Sequence, residues 1–152
     1  MAIRTIIQDP HPTLRQVATP VRAFNDPKLH RLIQDMKETM VANDGWGLAA
    51  PQVNESTALF VILDDIAPEG HTVFINPRIC KTSKEKESED EGCLSFTGKY
   101  APVARPSRVE IEAQDADGNT FRATGEGVLA RAFLHETDHL HGILFIDHLH
   151  EF

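Results

Sequence analysis

Three side chains in the run His135-Glu136-Thr137-Asp138-His139 have the types and spacing that hold and use a metal ion. On an α-helix, residues four apart stand one turn above each other, so His135 and His139 can offer imidazole nitrogens to one cation. Glu136 then lies beside that cation as a general base. The ordinary alternative is that each histidine bonds to a backbone carbonyl of a buried helix. A helix around the run and a third ligand elsewhere would favour the metal.

The helix is well specified. Val128 to Leu140 contains neither Pro nor Gly, is rich in good helix formers, and is followed at Gly142 by the residue a helix C-terminus prefers. Thr124, Gly125 and Glu126 offer a start. Apolar residues fall on nearly every side, so the helix is expected to be buried all round. The third ligand could be a thiolate, because the chain has two cysteines, Cys80 and Cys93. Spacing alone does not choose between them. Cys93 follows a glycine in the bend Glu91-Gly92-Cys93-Leu94-Ser95, where sulfur can be aimed at an ion, whereas Cys80 stands in an extended apolar context and reads as a small core residue. A disulfide between them is disfavoured in a chain read as cytosolic.

The elements that must position these groups follow from patterning. Asp26 and Pro27 open a helix over Pro27 to Ala42, with Leu29, Leu32, Ile33, Met36 and Met40 on one stripe. Ile3 to Ile7 is extended, Asp9-Pro10-His11-Pro12 is a turn leading to a short helical piece over Thr13 to Val17, and His11 is a turn residue. Strands are expected over Thr57 to Leu63 and Thr72 to Ile75, joined by a hairpin-like Ile66 to Gly70. Asn76-Pro77 then breaks the pattern before Arg78 to Thr82 resumes it. Ser83 to Glu91, dominated by charge, reads as a solvated edge strand or loop, followed by a proline-containing loop. Arg108 to Gln114 alternates as a half-buried strand and turns through Asp115 to Asn119 into its partner Thr120 to Thr124. Gly45-Trp46-Gly47-Leu48-Ala49-Ala50-Pro51-Gln52 reads as a connecting loop or a place of close backbone approach. Ile143 to Ile146 is a last apolar segment. Strands linked by short turns give an α+β fold: antiparallel β-sheets packed around a buried C-terminal metal-binding helix, with an N-terminal helix.

With 152 residues the chain fits one domain, 1–152, and its 41% apolar and 25% charged content is ordinary for a soluble protein. A net charge of -8 argues against nucleic-acid binding. No apolar run reaches the length of a membrane span, and the N-terminus lacks the core of a secretory signal, so a cytoplasmic location is expected.

Taken together and in this order, Gly45 to Gln52, Glu91 to Ser95, and His135 to Gly142 resemble the three motifs of the peptide deformylase family, and Leu144-Phe145-Ile146-Asp147 adds to the likeness. The resemblance implies removal of the N-formyl group from the initiator methionine of new polypeptides, with formate released. It makes Cys93, His135 and His139 the metal ligands, with water in the fourth position. Three protein ligands and an open place suit catalysis, where a structural site would be closed. Fe(II) is the implied ion, and zinc, nickel or cobalt also suit such ligands. Glu136 is implied as general acid and base, and the amide of Gln52 and the backbone N–H of Leu94 as oxyanion donors. Trp46, Gly47 and Gly92 would hold the peptide, the first motif pairing with it as an added strand, while Val128 and Ala132 would line the methionine pocket. Gly45 is structural near the site, and Glu91 is expected to pair with Arg105. Formyl-methionyl peptides are the implied partners, together with transient ribosome association and no membrane. The location is bacterial-type cytoplasmic, or organellar if a targeting segment precedes Met1.

Some positions depart from the family pattern. Leu134 stands where a Gln is usual, Phe96 to Tyr100 lacks the usual sequence, with Tyr100 about where an Arg contacting peptide is often found, and the C-terminal helix of many bacterial members is missing. Two rivals set the tests: a metallohydrolase for another N-acyl group or a peptide bond, and a silent module keeping an ion for stability. Glu136 and Gln52 speak against the latter, since neither is needed merely to hold an ion.

Overall fold

The computed structural model describes residues 2–151. Among these described residues two α-helices, α1 (Pro27–Ala42) and α2 (Val128–Leu140), and seven strands appear in the order α1, β1 (Gly47–Ala49), β2 (Leu59–Ile62), β3 (Val73–Thr82), β4 (Lys86–Gly92), β5 (Tyr100–Pro106), β6 (Arg108–Gln114), β7 (Thr120–Glu126), α2. A five-stranded antiparallel sheet runs β1-β2-β3-β6-β7, and β4 and β5 form a separate ribbon. The architecture is α+β, as the patterning predicts. Among the described residues no helix is long and apolar enough to cross a membrane.

The large sheet separates the two helices. All four residues of β2 are buried, because alternate side chains serve opposite faces: Phe60 and Ile62 join Phe133 and Leu140 of α2, whereas Leu59 and Val61 join Leu32, Met36 and Met40 of α1. Phe60 and Phe74, opposite each other on β2 and β3, stack at 4.8 Å. A third cluster gathers Leu14, Phe96, Val103, Leu144 and Phe145 beneath the turn Phe145–Glu151.

Both helices keep their expected bounds for local reasons. Asp26 accepts a hydrogen bond from the Lys28 backbone at 2.9 Å, and Pro27 fills the first turn. Helix α2 ends as expected, with Gly142 at φ 73°. Thr124 to Glu126, expected as its lead-in, instead belong to β7, and Gly127, at φ 57° and ψ -123°, turns the chain into the helix. Nor is α2 buried all round, since Val128 is 43% exposed.

Other expectations need correction. Asn76-Pro77 does not end a strand, because β3 runs through it with a register shift between Ile75 and Arg78. There Asn76 stands at φ 51° and ties Val21 and Gln114 by its side chain. The proline-containing loop is strand β5. Its Pro102 and Pro106 lie in a two-stranded ribbon, where a missing donor can face outward. The Gly45 to Gln52 run contains β1 and a 3-10 turn, Ala50–Val53. The link from β2 to β3 is two 3-10 turns, Asp64–Ile66 and Pro68–Gly70, and the expected helical piece near Thr13 is a 3-10 turn, Pro12–Arg15. Cys80 is half-exposed and free, so it is not a core residue.

Candidate metal centre

Helix α2 carries His135, Glu136 and His139 into the protein with all three buried. Their environment begins with Glu91 on β4, also buried, which is a hub. It accepts from Arg105 Nε at 3.1 Å and Nη2 at 2.7 Å, from Arg131 Nη1 at 3.0 Å, and from His135 Nδ1 at 2.6 Å. A buried carboxylate resists ionisation, but here the bond from His135 and the Arg105 guanidinium outweigh burial and hold Glu91 well below the usual carboxylate range. Because Nδ1 donates to Glu91, the lone pair of a neutral His135 ring is left on Nε2.

That Nε2 lies 3.3 Å from His139 Nε2, which in turn lies 3.4 Å from Cys93 Sγ. All three donor atoms fall within 4.8 Å of one another. Two nitrogens at about 2.05 Å and a thiolate at about 2.3 Å around a tetrahedral ion would stand about 3.3 Å (N to N) and about 3.6 Å (N to S) apart. The observed spacings match both. Two neutral Nε2 lone pairs that close repel, so a shared proton or a cation must lie between them. Burial disfavours charge on both rings. Glu136, Cys93 and Glu91 overcome it at His135, whose pKa is raised, while His139 is pushed well below its ordinary value by burial and by His135. The donor set therefore fits a divalent cation.

Glu136 flanks this cluster. Burial raises its pKa to about 7, and its Oε1 has no hydrogen-bond partner among the described residues. Its other oxygen lies against Gly47, where an added Cβ would stand 2.8 Å from Oε2. Any side chain at 47 would displace the carboxylate. On the opposite side Gln52, buried in the turn after β1, accepts from the Ala49 N–H at 3.0 Å through Oε1. That bond turns its Nε2 toward Ser95 Oγ at 3.2 Å and Cys93 Sγ at 3.5 Å. The N-terminal segment braces the cysteine loop, with Gln8 Nε2 donating to the Leu94 carbonyl at 2.8 Å.

These groups open into a cavity of about 710 Å³. Gly45, Trp46, Gly47, Gln52, Glu91, Gly92, Cys93, Leu94, Val128, Ala132, His135 and Glu136 all line it. Trp46 and Tyr100 are exposed at its mouth.

Comparison with known proteins decides the family. The profile described as polypeptide deformylase matches residues 3–152. The chain belongs to the polypeptide deformylase family.

Among its relatives, peptide deformylase 1 of Clostridium perfringens is 45% identical over 148 residues, covering 97% of this chain and 99% of that protein. The peptide deformylase of Azotobacter vinelandii is 46% identical over 98% of this chain and 88% of its own. In structure, the deformylase of Thermotoga maritima superposes with a TM-score of 0.90 at 40% identity, covering 96% of this chain and 97% of that one. That of Legionella pneumophila also gives 0.90, at 42% identity over 96% and 85% of the two chains.

Within this deformylase fold, every residue expected at the site borders the cavity except His139 and Arg105, which stand behind it. Several neighbours escaped the sequence reading. Arg131 donates to Glu91, to the Val103 carbonyl at 2.8 Å and to the Glu87 carbonyl at 2.9 Å. Asp138 accepts from Arg105 at 2.8 Å and from His148 at 2.9 Å. Arg131 left a signal: a cation one turn before His135 on a helix read as buried requires a carboxylate. Asp138, Ser95 and His148 left none.

Proposed function

We propose that this chain removes the formyl group from N-formyl-methionyl peptides, releasing formate and a free amine. The carrying observation is the convergence of Cys93, His135 and His139 beside a carboxylate whose Oε1 has no hydrogen-bond partner among the described residues, with Cys93, His135 and Glu136 bordering an open cavity. A closed structural site would not need that carboxylate.

A divalent cation held by Cys93, His135 and His139 supplies Lewis acidity that makes water nucleophilic near neutral pH. Fe(II) is the ion proposed, and a thiolate with two imidazoles suits zinc, nickel or cobalt as well. Glu136 takes a proton from the attacking water and returns it to the departing amide nitrogen, which leaves poorly unless protonated. A group titrating near 7 can do both. Gln52 Nε2 and the Leu94 N–H donate to the oxygen on which negative charge develops. The Ala49 bond fixes the Gln52 amide in advance, so little reorganisation accompanies the reaction.

The peptide is held at the free edge of β1. The Trp46 carbonyl accepts from Leu63 on the β2 side, and successive backbone groups of a strand alternate, so the N–H and C=O of Gly47 face away from β2. An extended peptide can pair there as an added strand. Gly92 borders the opposite wall, and Val128 and Ala132 form the wall for the methionine side chain. We take residues 1–152 as one catalytic domain, acting in the cytoplasm in transient association with ribosomes. The bacterial relatives support that location.

The test compares formyl-, acetyl- and unblocked methionyl peptides in one assay. Formate release from the first alone is expected, and Glu136→Gln should lower turnover by about 10²–10⁴-fold while the ion stays bound. Faster turnover of acetyl or unblocked peptides would overturn the reading.

A further inference from the structure

We infer that the turn Phe145–Glu151, acting through His148, is a positioning element of the metal centre. The inference rests on the metal reading above.

His148 Nε2 donates to Asp138 Oδ2 at 2.9 Å, since an ionised carboxylate can only accept. Arg105 Nη1 donates to the same oxygen at 2.8 Å, and its Nε and Nη2 hold the two oxygens of Glu91. Glu91 in turn holds His135 Nδ1. An unbroken line of hydrogen bonds thus runs from the C-terminal turn to a metal-ligating ring. Phe145 of the same turn lies against that ring, with centroids 6.3 Å apart.

Each link is constrained except one. Arg105 and Glu91 are buried with side chains 5% exposed, so their paired geometry has no alternative partner in water. Asp138 is 20% exposed and can swing toward solvent, releasing the third arm of the guanidinium. His148 holds Asp138 inward together with Arg105, and its Nε2 also lies 3.4 Å from Arg105 Nη1, so the ring braces both members of that pair. With it, Arg105 is fixed at both ends and Glu91 has one orientation. Without it, the planar fork can rock, and His135 follows. Partners behind a metal ligand set ring orientation and ion affinity in just this manner.

The turn is fastened to the body separately. Asp147 accepts from Arg15 at 2.6 and 3.1 Å and from the Leu144 N–H at 3.0 Å. Loosening the turn and cutting the line to His135 are therefore separable by mutation.

The experiment uses the full chain loaded with zinc and measures release to an excess of chelator, together with the visible spectrum of the cobalt-loaded protein. In His148→Ala, zinc is expected to leave about 10–100-fold faster than in the wild type, with the cobalt spectrum altered. His148→Gln, whose amide can still donate to Asp138, is expected to restore most of the difference. Asp147→Ala is expected to lower the melting temperature while leaving zinc release within twofold of the wild type. His148→Phe, which keeps bulk at 148 without a donor, reads the same effect if the alanine variant does not fold. Release unchanged in His148→Ala or His148→Phe overturns the inference, as does equal acceleration in Asp147→Ala, which would mark a purely structural turn. A wild type that retains no zinc removes the metal reading itself, and this inference with it.

Discussion

Replacing Glu91 by Gln is the sharpest test of how the centre is built. The carboxylate receives four hydrogen bonds from three cationic or cation-capable side chains, and it is buried. Glutamine keeps the shape but loses the charge. Its amide nitrogen, a donor, must also face one of those donors. Arg105 then remains buried with only Asp138 as counter-charge, and Arg131 keeps two carbonyls. Breaking one side of a buried ion pair costs about 3–5 kcal/mol. The bond to Asp138 survives, so the lower half of that range is the better expectation. For a chain of this length each kcal/mol moves the melting midpoint by about 2–4 °C, which gives a fall of about 6–16 °C. Thermal unfolding followed by circular dichroism measures it. Ion affinity should also weaken by about 10–100-fold, because His135 loses the acceptor that fixes its tautomer. A variant that melts within about 2 °C of the wild type and holds its ion equally well would refute the hub argument. The Arg105 and Arg131 cations would then be satisfied without the charge on Glu91.

Gly47→Ala places a methyl group 2.8 Å from Glu136 Oε2 and should lower turnover by about 10²-fold with the bound ion unchanged, as read by formate assay and metal analysis. Phe133→Ala, on the face of α2 away from the ligands and fully buried beside Phe74, should destabilise the fold by about 3–5 kcal/mol in urea titrations. Chelation should lower the melting midpoint and re-addition of a divalent ion restore it, since an ion bound only by the folded chain stabilises it. Arg15 holds the Asp147 pKa below its ordinary value, so this pair adds stability above about pH 4 that fades as the pH falls further. The pair is half-exposed, which limits it to about 0.5 kcal/mol. Asp147→Asn should flatten that acid limb of the stability profile and leave the neutral limb parallel.

Much of this was legible in the sequence, for identifiable reasons. Helices α1 and α2 announce themselves through period and caps: Asp26 with Pro27, and Gly142 after Leu140. Strand β6 alternates because one face meets α2 and the other water, leaving Val109, Ile111 and Ala113 buried beside Glu110 and Glu112. What escaped lies where tertiary context overrides a local rule. Proline argues against a strand, yet Pro102 and Pro106 are tolerated in a ribbon of only two strands. Asn76-Pro77 argues for a break, yet a bulge carries β3 past it, with the Asn76 side chain taking up backbone groups of Val21. Cys80 looked apolar by its neighbours, but at the register shift between Ile79 and Lys81 it is half-exposed.

The site shows the same division. The proposed ligands His135 and His139, four apart on a helix, are written into the chain, since their spacing is the helical period. The groups that hold those ligands are not, because hydrogen bonds between Glu91, Arg105 and Asp138 join three elements at separations no period encodes. These partners also explain why α2 tolerates so many buried and half-buried polar groups. His135 is answered by Glu91, Arg131 by Glu91 and two carbonyls, and Asp138 by Arg105 and His148. Only Glu136 Oε1, Thr137 Oγ1 and His139 Nδ1 stay without protein partners among the described buried side-chain atoms. An unsatisfied buried carboxylate oxygen costs stability unless something else meets it. Beside three converging donors, such a cost is what the proposed role of Glu136 toward water and substrate would offset.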